Sequence, residues 1–326
     1  MGRIARCLPV NLVSDISDTS ARDKRCRVKK VAQGVEPVRA DLVVDCRNAH
    51  GEGVLWSHEH RLLMWTDING ERIWTYDPAT STHDSHKTPG RVGCFAPRLG
   101  RPNHELIAGF ADAFAFLDLS TGKREDIAPF EPDLSTTRLN DGRTDRAGRF
   151  IAGGMDEASL APISSVWRVD ADRSVKRLFG GVSCANSACF SPDGKRMYFA
   201  DSPTKTIVVY DYDPASGQLG EKRVLAEVDG IPDGSCVDSE GCIWNAVWEG
   251  YRVARWSPDG KLMQVIEVPV RKPTCCAFGG DDLATLYITT SRLMEDDDIL
   301  RREPTAGSLY SIKPGVRGLA DTPFAG

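Results

Sequence analysis

Two carboxylates and two amides stand at matching places along this chain, and their oxygens are the donors a hard metal ion takes. Glu52 sits in Gly51-Glu52-Gly53 and Asn140 in Arg138-Leu139-Asn140-Asp141-Gly142. Asn186 sits in Cys184-Ala185-Asn186-Ser187 and Asp233 in Pro232-Asp233-Gly234. Singly, each is an ordinary turn former that faces solvent. What they share is an offset from a recurring segment, an apolar run ending in small or polar residues. Counted to the central residue of that segment (Trp65, Ile151, Phe199 and Trp244), they lie 13, 11, 13 and 11 residues upstream. Two carboxylates and an amide suit Ca²⁺, Mg²⁺ or Mn²⁺, and admit carboxylate-bound Zn²⁺ or Fe²⁺. Three protein ligands leave positions open for water and substrate, as a catalytic site needs.

Such a convergence needs a scaffold that brings distant segments to one corner, and the repeat supplies it. The segment occurs as Leu63-Met64-Trp65-Thr66-Asp67, Glu105-Leu106-Ile107-Ala108-Gly109 and Arg149-Phe150-Ile151-Ala152-Gly153. It returns as Met197-Tyr198-Phe199-Ala200-Asp201, Cys242-Ile243-Trp244-Asn245-Ala246 and Leu286-Tyr287-Ile288-Thr289-Thr290. The intervals are 42, 44, 48, 45 and 44 residues. Second strands follow, among them Arg72–Tyr76, Ser165–Val169 and Ile207–Tyr210, rich in β-branched and aromatic residues. Asn69-Gly70 marks a hairpin, and Ser191-Pro192-Asp193-Gly194 and Ser257-Pro258-Asp259-Gly260 mark turns. A period of about 45 residues with several short strands is the signature of a propeller. The expectation is an all-β, six-bladed β-propeller over residues 39–316, with the metal and active site at one mouth of the central channel. Asp41–Asp45 is the expected closing strand, beside Gly307–Ile312. Residues 1–38 read as a polar, basic and flexible extension, and 317–326 as a C-terminal tail.

Composition narrows the function. The 326 residues carry 46 acidic and 41 basic side chains, a net charge of -5, which argues against a nucleic-acid partner. No apolar run spans a bilayer, and the N-terminus has no signal-peptide h-region. Ten scattered cysteines without a CxxC pair fit reduced thiols in a cytoplasm. The expected state is therefore a cytoplasmic monomer or small homo-oligomer with no membrane partner. Cys275-Cys276 reads as part of a strand. All six histidines lie in the first third, which excludes a His-based site drawing on the whole chain. His58-Glu59-His60 reads as a solvated turn.

On Gly51-Glu52-Gly53-Val54-Leu55-Trp56, Arg138-Leu139-Asn140-Asp141-Gly142, Asn186-Ser187-Ala188, Ser191-Pro192-Asp193-Gly194, Ile231-Pro232-Asp233-Gly234 and Cys275-Cys276-Ala277-Phe278-Gly279-Gly280, the chain resembles the regucalcin/gluconolactonase family of six-bladed lactonases. The resemblance implies metal-dependent hydrolysis of a pentose or hexose aldonolactone to the aldonic acid. It implies Glu52, Asn186 and Asp233 as metal ligands and Arg138 and Asn140 as the substrate-contacting pair. It gives Asp233 the role of base, and Glu157 that of a further substrate contact. Asp233 is then either ligand and base together or ligand alone, with the ion activating the water. Arg138 has the alternative of an inter-blade salt bridge. Three rival functions share the architecture: a calcium-dependent phosphotriesterase, a calcium-binding regulatory propeller without turnover, and a non-catalytic binding platform.

Overall fold

The computed structural model describes residues 38–326. The expectation for residues 1–38 falls outside them, save for Val38. Six antiparallel sheets follow one another around an axis, each four-stranded apart from one outer addition. The six recurring apolar segments all form second strands, from Leu62–Asp67 in blade one to Thr285–Thr290 in blade six. The inner strands run Gly51–Ser57, Val92–Pro97, Thr137–Thr144, Ala185–Phe190, Ile231–Val237 and Pro273–Gly279. All but Thr137 and Ile231, the first residues of their strands, and Arg143, near the end of its strand in blade three, are buried, because both faces of each inner strand abut neighbouring blades.

Blade six is completed from the other end of the chain. Asp41–Val44 pairs antiparallel with Leu309–Ile312, which closes the ring as expected and removes two edges. Val38–Arg39 adds a parallel strand outside Leu262–Glu267 in blade five.

The core lies between blades rather than within them. Trp56, Trp65, Tyr76 and Tyr287 pack where blades one and six meet. Phe114, Phe130 and Phe150 fill the seam between blades two and three, with edge-on ring pairs at 6.2 and 6.4 Å. Each such ring contributes about 1.5–3 kcal/mol by leaving water.

Polar groups fix the turns at the far end of the blades. The carboxylate of Asp238, fully buried, accepts hydrogen bonds from the Glu240 and Cys242 amides, Trp244 Nε1 (2.9 Å) and Arg255 Nε (2.8 Å). Replacing Asp238 with alanine strands these donors together, and should cost about 3 kcal/mol in urea denaturation. A loss below about 1 kcal/mol, the size of an exposed pair, would show that the cluster is idle.

Candidate metal and active site at the channel mouth

Every inner strand breaks register with its neighbour at the same level. Such bulges re-aim side chains, and here they sit where the candidate residues lie. In blade three the bulge holds Asn140 and Asp141, and in blade five Asp233 and Gly234. In blades one and four it follows Glu52 and Asn186 directly. The bulge also explains the alternating offset in the sequence. Counted to the residue opposite the first position beyond the bulge (Met64, Ala152, Tyr198 and Asn245), all four candidates lie 12 residues upstream.

The residues after Glu52 and Asn186 are left-handed: Gly53 has φ +58° and Ser187 φ +62°. Glycine adopts this freely. Ser187 is held there by its side chain, whose hydroxyl donates to Asp233 O at 2.6 Å and accepts from Asn245 Nδ2 at 3.1 Å. A Cβ at Gly234 would meet Cys275 Sγ at 2.6 Å, so the residue after Asp233 must be glycine for the strands to approach.

Aspartates at the ends of two second strands hold the loops that lead into the site. Asp67 accepts from the His50 amide at 2.8 Å and the Ala49 amide at 3.1 Å, just ahead of Glu52. Asp201 accepts from the Cys184 amide at 2.8 Å, just ahead of Asn186. Asn186 is oriented by a relay: its Nδ2 donates to Ser202 Oγ at 2.8 Å, and Ser202 Oγ donates to Pro232 O at 2.7 Å. The amide nitrogen is thus committed to blade four, and the amide oxygen, which accepts from Asn140 Nδ2 at 3.3 Å, keeps a second lone pair.

Glu52, Asp141 and Asp233 are all buried. Burial pushes the Glu52 carboxyl up to about 8, with the Asp141 charge adding to the shift. Asp233 is raised well above the usual carboxylate range by burial, then by the charges of Glu52 and Asp141. With both groups buried, ionising Glu52 and Asp233 together is disfavoured. A divalent cation would relieve that repulsion as protonation does, with more charge. Among the described residues no three His, Cys, Asp or Glu side chains are placed to hold an ion by themselves. An ion here would need the Asn186 oxygen as a third donor, and a set of two carboxylates and one amide fits a hard cation.

Beside this cluster lies a second network. Arg138 Nε donates to Glu157 Oε1 at 2.7 Å, and Nη1 donates to Asn140 Oδ1 at 2.8 Å and Leu139 O at 2.9 Å. Asn140 Nδ2 donates to Ala185 O at 2.9 Å and to Asn186 Oδ1 at 3.3 Å. Glu157 also takes two hydrogen bonds from Arg91 of blade two, at 2.7 and 2.9 Å. Burial opposes ionisation of Glu157, but Arg91 and Arg138 outweigh it and bring the carboxyl down to about 2. Arg138, Asn140 and Glu157 are thus brought together, next to Glu52, Asn186 and Asp233. The ion pair of Arg138 is with Glu157 in its own blade; the inter-blade pair is that of Arg91.

Three residues near the site were not singled out from the sequence. Asp141 is the neighbour of Asn140, and only the bulge turns both inward. Arg91 matters through Glu157, far away in sequence. His50 precedes Glu52 and pairs its Nδ1 with Ser291 Oγ at 2.9 Å; burial, then the Arg138 and Lys272 charges, hold it down to about 3. His58-Glu59-His60 lies in a turn at the other end of blade one, with His58 and Glu59 exposed. Cys275 and Cys276 are buried strand residues, and the eight described cysteines are free thiols.

Residues 50–292 match the family model described as "SMP-30/Gluconolactonase/LRE-like region". The chain is 39% identical to an L-arabinolactonase of Azospirillum brasilense, over 90% of this chain and 98% of that one. It is 35% identical to a 6-deoxy-6-sulfogluconolactonase of Pseudomonas putida, over 85% and 95%. Among solved structures it resembles a calcium-binding protein, regucalcin, of Agrobacterium tumefaciens, with TM-score 0.83, 28% identity and coverage of 88% and 98%. A propeller matched through the stretch that carries Glu52, Asn140, Asn186 and Asp233, with relatives this similar over nearly their full length, belongs to the SMP-30/gluconolactonase/LRE-like family.

Proposed function

We propose that this chain hydrolyses a sugar lactone to the aldonic acid, with one divalent cation held by Glu52, Asn186 and Asp233. The observation that carries the reading is the cluster of buried acids Glu52, Asp141 and Asp233 beside the Arg138–Asn140–Glu157 network. The lactonase names of the relatives fit the same chemistry. A bound cation would polarise the lactone carbonyl and stabilise the negative charge that develops on its oxygen. Arg138 has Nε and Nη1 committed to Glu157, Leu139 and Asn140, which leaves Nη2 for a sugar oxygen. Glu157, ionised and half-exposed, accepts from a sugar hydroxyl. Asp233 takes a proton from the attacking water as its oxygen bonds to the carbonyl carbon. The proton then passes to the ring oxygen as the ring C–O bond breaks.

The setting fits a cytoplasmic enzyme with reduced thiols. No helix among the described residues is long and apolar enough to cross a membrane.

The decisive experiment is a pH-drop assay over pentono- and hexonolactones and, in parallel, phosphotriesters, with and without added divalent ions. Turnover of at least one lactone is expected, and its loss on chelation. Phosphotriester turnover with no lactone hydrolysed would replace the reading, and ion binding without any turnover would point to a regulatory calcium protein. Within the active panel, Arg138→Ala should raise KM by roughly tenfold to a hundredfold, the worth of a hydrogen bond to a charged group. An unchanged KM would remove Arg138 from the sugar-binding set.

A further inference from the structure

Residues 317–326 cross the mouth opposite the site. Gly318 bridges to Asp238 of blade five and donates its amide to Leu283 O of blade six at 2.8 Å. Further on, the Phe324 amide donates to Pro97 O of blade two at 2.8 Å, and the Ala325 amide to Gly148 O of blade three at 2.9 Å. Phe324 is fully buried. Thr144 Oγ1 of blade three donates to Thr322 O.

Between these anchors the tail lowers one carboxylate into the channel. Asp321 Oδ2 accepts from the Trp56 amide at 3.0 Å, and Oδ1 accepts from Arg143 Nη1 at 2.6 Å. Arg143 Nη2 reaches Val54 O at 3.2 Å. Trp56 and Val54 belong to the inner strand that carries Glu52. Arg143 belongs to the strand that carries Arg138, Asn140 and Asp141. One side chain of the tail thus ties the two halves of the site together from beneath. The Arg143 and Asp321 side chains are only 13% and 17% exposed, and line a small cavity with Cys189, Cys236, Phe278 and Leu319. Charges in such surroundings are weakly screened.

We propose that Asp321 is a positioning residue for the metal site: it neutralises Arg143, so that the carboxylates above keep the negative field a divalent cation requires. The inference deepens the metal-dependent reading and rests on it. Without Asp321, the guanidinium turns its whole charge toward Asp141 and repels an incoming cation. Without Arg143, the opposite holds, since Asp321 adds a negative charge below the site. The two single substitutions therefore move cation affinity in opposite directions, whereas a merely structural staple would weaken it in both.

The test is calorimetric titration of the full-length chain with Ca²⁺ and, separately, Mn²⁺, for wild type, Asp321→Asn, Arg143→Gln and the double variant. Asp321→Asn should raise Kd by roughly tenfold and Arg143→Gln lower it by a similar factor, the scale of one buried charge across a strand. The double variant should return to within about threefold of wild type, because the two residues act as one unit. Melting temperatures should follow the coupling too, both singles falling and the double recovering part of the loss. Weaker binding in Arg143→Gln, or equal affinity in all four proteins, overturns the proposal while leaving the metal reading intact. A wild type that binds neither ion overturns both. Should Asp321→Asn fail to fold, Arg143→Gln decides alone: tighter binding supports the proposal and any other result overturns it.

Discussion

Replacing Asp233 with asparagine should lower kcat for the preferred lactone by about 10³-fold at saturating divalent ion, the scale of a lost general base. The fold should survive, because asparagine keeps the shape and the Asp233 backbone carbonyl keeps its bonds from Ser187 Oγ (2.6 Å) and Asn245 Nδ2 (3.0 Å). The companion variant is Glu52→Gln. Glu52 sits in the same buried pair, but the proposed chemistry uses it only to hold the cation. Its loss should weaken ion binding, and excess ion should restore most of the rate. Asp233→Asn should not be rescued in this way. Recovery of Asp233→Asn to near wild-type turnover with more ion would reduce Asp233 to a ligand and assign the proton to another group.

The residue types alone do not separate Glu52 from Asp233; the asymmetry comes from the family resemblance, which gives the base role to Asp233. The fold was legible because a propeller writes itself as a period: six apolar segments, hairpin turns between them, and a spare strand at each end of the ring. The corner was legible because equivalent positions in different blades converge on the channel. The unevenness of the offset, 13 against 11, could not be read until the bulges were in place. Bulges have no fixed residue signature, so Asp141 could not be told from a turn aspartate. Arg91 and His50 escaped for another reason: each gains its role from a partner in a different blade, and no local pattern records which blades become neighbours. The last ten residues carry no period at all. Asp321 matters through Arg143 and Trp56, at sequence separations of 178 and 265, so only the closed ring reveals it.

The metal-free protein should lose stability as pH rises from about 5 to about 8, and a divalent ion should restore it most at the alkaline end. The sign follows from proton counting. Glu52 ordinarily titrates at 4.5 but is pushed up to about 8 in the folded chain, and Asp233 is raised too. Between these values the native state keeps protons that the unfolded chain has released. Stability then falls with pH, by up to about 1.4 kcal/mol per pH unit for each retained proton. Below the ordinary carboxyl range both states are protonated and the penalty vanishes. A cation competes with these protons for the same oxygens. Its affinity must therefore rise with pH, and the gap in melting temperature between ion-saturated and chelated protein must widen from pH 5 to pH 8. Chelation at the alkaline end should also abolish lactone turnover, because no cation then polarises the lactone carbonyl. Thermal melts at four pH values, each with chelator and with millimolar ion, test this. A gap that stays constant across the range would mean that the ion does not displace protons from Glu52 and Asp233, and that its ligands lie elsewhere.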